Sequence, residues 1–481
     1  MGLINRRDFL AYSAIAAGGA GVNWAMSSGR VKRVRDISHL AQKPPMGWNS
    51  FDSYGVYLHE KAAFANAEAM AKKLKPFGYE YFVVDNGWFG EYKMIPGTIY
   101  AAEKHASDVK INEYGLLQPS DTYFPNGLKL LIDKVHALGL KFGVHLMRGI
   151  PRKAVEQNLP IKGTKYRAQD IADKSSICKW CAYNYGVNMD KSGGQEFYNS
   201  LVNQLADWGI DYIKADDIVP HPKEVVAMVN AIEQCPRDMV LSLSPGGSVN
   251  PEAIDSFRRA NLLRVTHDIW DEQNGIDQCF DAWRKWQGKE RPGFWIDMDM
   301  VPFGMLGLMS PPEYVSAKGF AGEKDEKEGL VALSGKGTTR QSLFTRDQMF
   351  TFITLRALSA SPLMMGGDLP TLDKFSLRLL TDKEMLACNQ NGVMGHLVSD
   401  DDGVEIWRTP EKGAKDKGWV GIFNRRQETG MVTVDNKKLG LDVKNKYVFK
   451  DVWKDRDILS DGSEQSIRVT GYGALFIRYH G

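Results

Sequence analysis

The 481-residue chain has no apolar run of the roughly 18 residues needed to cross a bilayer, so no integral membrane span is expected. It has no dominant charge either. Lys and Arg number 61 and Asp and Glu 59, a formal net charge of +2. No basic stripe with interleaved aromatics stands out, which argues against nucleic acid as a partner. Cysteine is scarce, with five in all. Cys178 and Cys181 form a C-x-x-C, but in a loop-like stretch rather than the strand-to-helix setting of a redox motif. No second pair completes a zinc site. A local disulfide or two free thiols are the readings left. Cys235, Cys279 and Cys388 fall in helical patterns and read as core. No G-x-G-x-x-G follows the first strand, which disfavours a dinucleotide fold. Ser334–Thr339 lacks the spacing of a phosphate loop. No H-x-H follows the first strand, and His145 and His267 are isolated, so neither metal nor cofactor is expected.

What is present begins at the N-terminus. Asn5-Arg6-Arg7-Asp8-Phe9-Leu10 followed by the small, mildly apolar run Ala11–Ala20 reads as a twin-arginine export signal over residues 1–30, cut between about Ala20 and Met26. A disordered basic tail is the competing reading. Export places the mature protein in the periplasm or outside the cell.

From about residue 41, short apolar runs alternate with amphipathic stretches. Eight strands are expected: Pro45–Ser50, Tyr79–Asn86, Leu140–Leu146, Tyr212–Asp216, Met239–Ser244, Leu262–Asp268, Phe294–Asp297 and Pro362–Gly366. Between them, residues such as Leu128, Leu131, Val135 and Leu138, or Phe197, Leu201, Leu205 and Trp208, recur at helical spacing. Repeated strand–helix alternation argues for a parallel sheet, and eight units favour a closed (β/α)8 TIM barrel over residues 41–390. After about Asn391 short alternating strands separated by Gly, Asp and Asn turns predict an antiparallel β-sandwich domain over 391–481. Long connections after strands, Gly87–Asn126, Met147–Gly193 and Met298–Thr345, belong on the barrel's catalytic face.

The strand ends are not apolar. They carry Asp85 and Asn86, His145, Lys214, Asp216 and Asp217, Ser242 and Ser244, His267 and Asp268, and Asp297 and Asp299. A parallel barrel turns all of them toward one mouth. Any single Asp there could cap the next helix, but polar ends recur from strand to strand. Uncompensated carboxylates so gathered are costly. Glycosidic bond cleavage fits them best, because it needs one carboxylate to attack or activate water and another to protonate the leaving oxygen. A metal-dependent amidohydrolase would want the missing His cluster. The 12 Trp and 18 Tyr suit a carbohydrate partner, though core packing uses the same residues.

These motifs resemble glycoside hydrolase family 27, the α-galactosidase and α-N-acetylgalactosaminidase group, from Pro44 to about Asp373. Pro45-Met46-Gly47-Trp48-Asn49-Ser50 is similar to the family's opening strand. Tyr212-Ile213-Lys214-Ala215-Asp216 resembles the nucleophile motif. Trp295-Ile296-Asp297-Met298-Asp299-Met300 resembles its W-x-D-P-D-M segment, with Met298 for Pro. Ser361-Pro362-Leu363-Met364 and Asp368-Leu369 resemble the last strand. The resemblance implies a retaining mechanism with Asp216 as nucleophile and Asp268 as acid/base. It implies a sugar pocket built from Trp48, Phe51, Asp85, Lys214, Arg264 and Asp299. Asn86, His145 and Ser244 stand where the family pattern usually has Asp, Tyr and a Glu-bearing segment, and Ser244 would leave room for a 2-N-acetyl group. The substrate implied is an oligosaccharide or glycoconjugate ending in an α-D-galactosyl-type sugar. An α-N-acetylgalactosaminidase, a β-L-arabinopyranosidase and a non-catalytic carbohydrate-binding protein are the alternatives. Asp217 is expected to point away from the site, and Asp271 to cap the following helix. The Arg148–Arg152 segment would either bind an acidic sugar or pin its loop. The sequence leaves the oligomeric state open.

Overall fold

A computed structural model describes residues 36–90, 100–102, 109–181, 183–245, 248–308, 330–332, 339–458 and 465–481. The expected leader and most of Ser334–Thr339 lie outside them. All eight expected barrel strands form, most with ends shifted by a residue or two. They are β1 (Met46–Asn49), β2 (Tyr81–Val84), β3 (Lys141–Met147), β4 (Tyr212–Asp216), β5 (Val240–Leu243), β6 (Leu262–Arg264), β7 (Trp295–Asp297) and β8 (Leu363–Met365). They make one parallel sheet in the order β7-β6-β5-β4-β3-β2-β1-β8. The ring closes through Val301, which bridges Met365 and whose N–H donates to the Met364 carbonyl at 2.8 Å. Strand β6 stops at Arg264, four residues short of the expected end.

The period of two along each strand sorts its side chains. Tyr81, Val83, Tyr212, Val240, Leu262 and Met364 pack together as one small cluster with Met300. Their neighbours Phe82, Val84, Ile213, Leu241 and Leu263 belong to the large core that includes the helices. The small cluster is therefore the barrel interior, and it forms an apolar floor. Two and four residues further along β4, the same parity brings Lys214 and Asp216 to the mouth. On β2 it brings Asp85.

The helices around the sheet follow the expected periodicity. One spans Lys129–Ala137, with Leu131, Ile132 and Val135 buried. Another, Gly194–Trp208, buries Phe197, Leu201 and Leu205. It ends at Gly209, whose φ of +93° suits a residue without a Cβ. We label α1 the helix Gln273–Trp286 and α2 the helix Arg346–Leu358. Thr345 caps α2 by accepting from the Gln348 N–H, and Gln348 returns the bond.

The C-terminal region holds β9 (His396–Asp401), β10 (Val404–Pro410), β11 (Lys417–Asn424), β12 (Gly430–Val434), β13 (Val448–Asp451), β14 (Arg456–Ile458), β15 (Gln465–Val469) and β16 (Ala474–His480). Six form an antiparallel sheet, β9-β10-β11-β16-β13-β14, and β12 pairs with β15. Strands β9 and β14 carry too little alternation to show in the sequence. One face of the large sheet (Ile406, Ile422, Ile477) packs with Val432 and Val434 of β12. The other turns Trp407, Phe423 and Phe476 into the barrel's core. Trp283 on α1 stacks on Trp407 with ring centroids 3.8 Å apart. All five cysteines are buried and free, so Cys178 and Cys181 are thiols. No helix among the described residues is long and apolar enough to cross a membrane.

Candidate active site

At the carboxyl ends of the barrel strands lies a cavity of about 460 Å³. Its walls carry Phe51, Asp85, Asn86, His145, Lys214, Asp216, Arg264, Asp268 and Asp299, nine of the eleven residues expected from the sequence. Asp216, at the end of β4, is 7% exposed. His145 Nε2, from β3, lies 3.1 Å from its Oδ2, and the Asp217 N–H donates to its Oδ1 at 2.9 Å. Burial pushes the Asp216 carboxyl up. The His145 contact and the charges of Arg264 and Lys214 outweigh it and hold the carboxyl well below the usual range.

Lys214 Nζ itself donates to Asp85 Oδ2 at 2.8 Å, and Asn49 Nδ2 donates to the same oxygen at 2.6 Å. The lysine two residues before Asp216 therefore bonds to another carboxylate and acts on Asp216 only through its charge. Burial raises Asp85, but Lys214 and His145 bring it below the ordinary value. On the facing wall Arg264 Nη1 donates to Asp268 Oδ1 at 2.6 Å and lies 3.3 Å from Asp299 Oδ1. Asp299, in a left-handed turn at φ +70°, also accepts from the Ile269 N–H at 2.7 Å. The Asp268 side chain is 40% exposed, while that of Arg264 is nearly buried. The site thus has a deep end with a fixed carboxylate and an open end with an accessible one.

Two expected residues are placed elsewhere. Trp48 does not line the cavity. It points outward from β1 into the core, stacks on Phe82 and donates from Nε1 to the Gly367 carbonyl at 2.8 Å. Strand parity sends Asn49 inward instead. Ser244 is buried and also off the cavity wall, where its neighbour Pro245 stands. Asp271 does not cap α1, whose N-cap residue is Glu272. It accepts from Arg340 Nε at 3.0 Å and the Leu343 N–H at 2.8 Å, tying down the segment that leads to α2. Asp217 does turn away, at φ +55°, and accepts from Arg148 Nε at 2.9 Å. Arg148 also donates to Glu224 at 3.0 Å. Being only 3% exposed, it pins its loop rather than reaching for a ligand.

Asp52, which is not among the residues expected from the sequence, lies in a helical turn after β1 and lines the cavity. Its Oδ2 has no hydrogen-bond partner among the described residues. Burial, then the nearby Asp299 charge, pushes it well above the ordinary value. The carboxyl fits because residue 366 is glycine: a Cβ there would stand 1.9 Å from Asp52 Oδ2. Alternation cannot reveal a residue outside a strand. Trp180, Cys181, Trp270 and Met300, likewise outside the strands, also line the cavity.

Residues 401–479 match the family described as the alpha galactosidase C-terminal beta sandwich domain. Across the chain, the fold is similar to the GH27 β-L-arabinopyranosidase of Geobacillus stearothermophilus. Identity is 35% and the TM-score 0.81, over 93% of this chain and 98% of that one. An α-galactosidase of Oryza sativa subsp. japonica is 25% identical over 449 residues, 92% of this chain and 85% of the relative. Alpha-galactosidase A of Cellvibrio japonicus is 27% identical over 387 residues, 78% of this chain and 75% of the relative.

Proposed function

The chain belongs to glycoside hydrolase family 27, and we propose that it removes a terminal α-D-galactosyl-type sugar with net retention, Asp216 acting as nucleophile and Asp268 as acid/base. The observation that carries this is the contrast between the two carboxyls. Asp216 is buried yet kept anionic by His145, Arg264 and Lys214. Asp268 shares the same cavity with its side chain open to the entrance.

In the first step an Asp216 oxygen attacks the anomeric carbon as the glycosidic C–O bond breaks. The Asp268 proton passes to the leaving oxygen, and a glycosyl ester of Asp216 results. In the second, Asp268 takes a proton from water as the water oxygen attacks the same carbon. The ester bond breaks, the free sugar leaves with its original configuration, and Asp268 is again protonated. Arg264 orients Asp268, and Asp85 with Lys214 offers an acceptor and a donor to ring hydroxyls.

A second reading, β-L-arabinopyranoside hydrolysis, is favoured by the 35% identity to a β-L-arabinopyranosidase. The two glycons share ring configuration and differ by the hydroxymethyl group at C5. Paired nitrophenyl α-D-galactoside and β-L-arabinopyranoside assays separate them. Proton NMR of the first-released anomer tests the mechanism: the α-anomer of galactose is expected, and initial release of the β-anomer would refute double displacement. Asp216→Ala should lower kcat by roughly four orders of magnitude or more. Near-wild-type turnover would remove Asp216 from the reaction.

A further inference from the structure

A nucleophile must present an oxygen in line with the carbon it attacks, so the orientation of the Asp216 carboxyl matters as much as its charge. His145 meets one of its oxygens and the Asp217 N–H meets the other. The second contact depends on the plane of a single peptide, the one between Asp216 and Asp217. A trans peptide sends its C=O and its N–H opposite ways. Here the Asp216 carbonyl accepts from the Arg148 N–H at 2.9 Å, and the Asp217 N–H points back at Asp216 Oδ1, also at 2.9 Å. This plane comes with φ +55° at Asp217, a region unfavourable to a residue with a Cβ. Without a restraint such a peptide relaxes by flipping. That would return φ to negative values and carry the N–H off the carboxyl.

The side chain of Arg148 opposes that flip. Its Nε donates to Asp217 Oδ2 at 2.9 Å and its Nη1 to Glu224 Oε1 at 3.0 Å. The guanidinium is buried in a space made for it. A Cβ on Gly186, in the strand Asn184–Val187, would stand 2.7 Å from Nη1. Glu224, in the first turn of the helix Pro222–Gln234, is fixed in its turn. Its Oε2 accepts from the Tyr198 hydroxyl at 2.6 Å and from the Val187 N–H at 3.3 Å. Tyr198, buried on the helix Gly194–Trp208, accepts from the Gly149 N–H at 3.1 Å. Arg148 thus holds the peptide from both sides: its backbone takes the Asp216 carbonyl, and its side chain takes the Asp217 carboxylate. It does not line the cavity.

We propose that Arg148 is a positioning residue for the nucleophile: by holding Asp217 in its left-handed conformation it aims the Asp217 N–H at Asp216 and so sets the carboxylate for attack. The role rests on the proposed glycosidase reading with Asp216 as nucleophile. Its effect falls on kcat rather than KM, because Arg148 touches no part of the cavity and the carboxylate's orientation counts in the attack itself.

Two substitutions at one position separate this from a merely structural ion pair. Asp217→Gly and Asp217→Ala both remove the carboxylate that Arg148 holds, but only glycine accepts a positive φ without restraint. A structural ion pair would be lost equally in both. On whichever nitrophenyl glycoside the wild-type protein turns over, Asp217→Ala should show a kcat about tenfold below that of Asp217→Gly, with KM values within about twofold of each other. Arg148→Met should lower kcat roughly ten- to a hundredfold, and adding Asp217→Gly to it should restore most of the loss. Enzyme amounts are set by the amplitude of the thermal unfolding transition, so misfolded protein does not count. The Asp217 pair decides the question even where Arg148→Met does not fold. Equal kcat for the Asp217→Ala and Asp217→Gly proteins, with Asp216→Ala inactive, would overturn the positioning role alone. A wild-type protein that hydrolyses neither the α-D-galactoside nor the β-L-arabinopyranoside would overturn the glycosidase reading, and the positioning role with it.

Discussion

Asp216 keeps its charge in a setting that burial alone would neutralise, and the first group answering burial is His145, 3.1 Å away. The sign follows directly. A carboxyl held below its ordinary value stays ionised through mildly acidic pH. His145→Ala takes away the contact and leaves burial in place, so the value rises. The acid limb of the kcat/KM profile should move to higher pH, with activity at pH 4–5 falling more than at pH 7. An unshifted acid limb would show that His145 does not set the charge of Asp216. Asp297 is the opposite case. Burial and the adjacent Asp299 charge push it up to about 6. It therefore holds a proton in the folded state at pH values where the unfolded chain, with an Asp near 3.9, has lost it. Its stabilising contribution is complete below about pH 4 and declines as pH rises to about 6. Asp297→Asn mimics the protonated form and can still accept from the Asp299 N–H. It should raise stability at pH 7.5 by on the order of 2 kcal/mol and little at pH 4. Thermal denaturation at both pH values reads this, and an equal change at both would contradict it.

The elements carry the site through one buried cation. Arg356, on α2, is fully buried. Its Nη2 donates to the carbonyls of Met298, of Asp299 at 2.8 Å and of Met300 at 3.0 Å, and its Nη1 donates to Ser361 Oγ at 2.8 Å. Those carbonyls belong to the turn after β7 that places Asp299 against Arg264. Arg356→Met removes the donors and leaves the carbonyls buried, which should cost about 3 kcal/mol or more. It should also lower kcat/KM, because Asp299 and then Arg264 lose their positions. A urea midpoint indistinguishable from wild type would show that the turn stands without it. The elements themselves were readable for a physical reason. Strands such as Tyr212–Asp216 are apolar runs bounded by Gly and Asp, and eight of them recur between helical periods. Strands β9 and β14 were not readable, because Ser399, Asp400, Asp401 and Asp457 break the alternation on which such a reading depends.

At the scale of the whole molecule, the C-terminal sheet is joined to the barrel by apolar packing. Alternate residues of β10 and β11 face opposite ways: Ile406 and Ile422 into their own domain, Trp407 and Phe423 into the barrel's core. Arg425 bridges the same contact, Nη1 to Glu405 of β10 and Nη2 to Asp277 of α1, at 2.5 and 2.6 Å. A shared core should make unfolding one cooperative event. Trp407→Ala empties the stack against Trp283 and should cost about 3–5 kcal/mol, lowering a single calorimetric transition. Two separate transitions in the wild-type protein would show instead that the sheet is an independent body.

The sequence by itself determined the barrel, the character of its mouth and the two carboxyls, since these depend on local patterns. The period of two within strands, the repeat of strand and helix, and the motif around Asp216 are all visible along the chain. What needed the tertiary structure was who touches whom. Only the fold sets Lys214 against Asp85 rather than Asp216, turns Trp48 into the core and Asn49 toward Asp85, and makes Asp271 an anchor for Arg340. Asp52, Trp180 and Trp270 lie on turns and loops whose side-chain directions no periodicity encodes. Asp52 reaches the cavity because Gly366, more than 300 residues away, leaves its place open. Contacts of that kind arise when the ring of strands closes, which is why the strand-end residues of the cavity could be read in advance and its loop-borne residues could not.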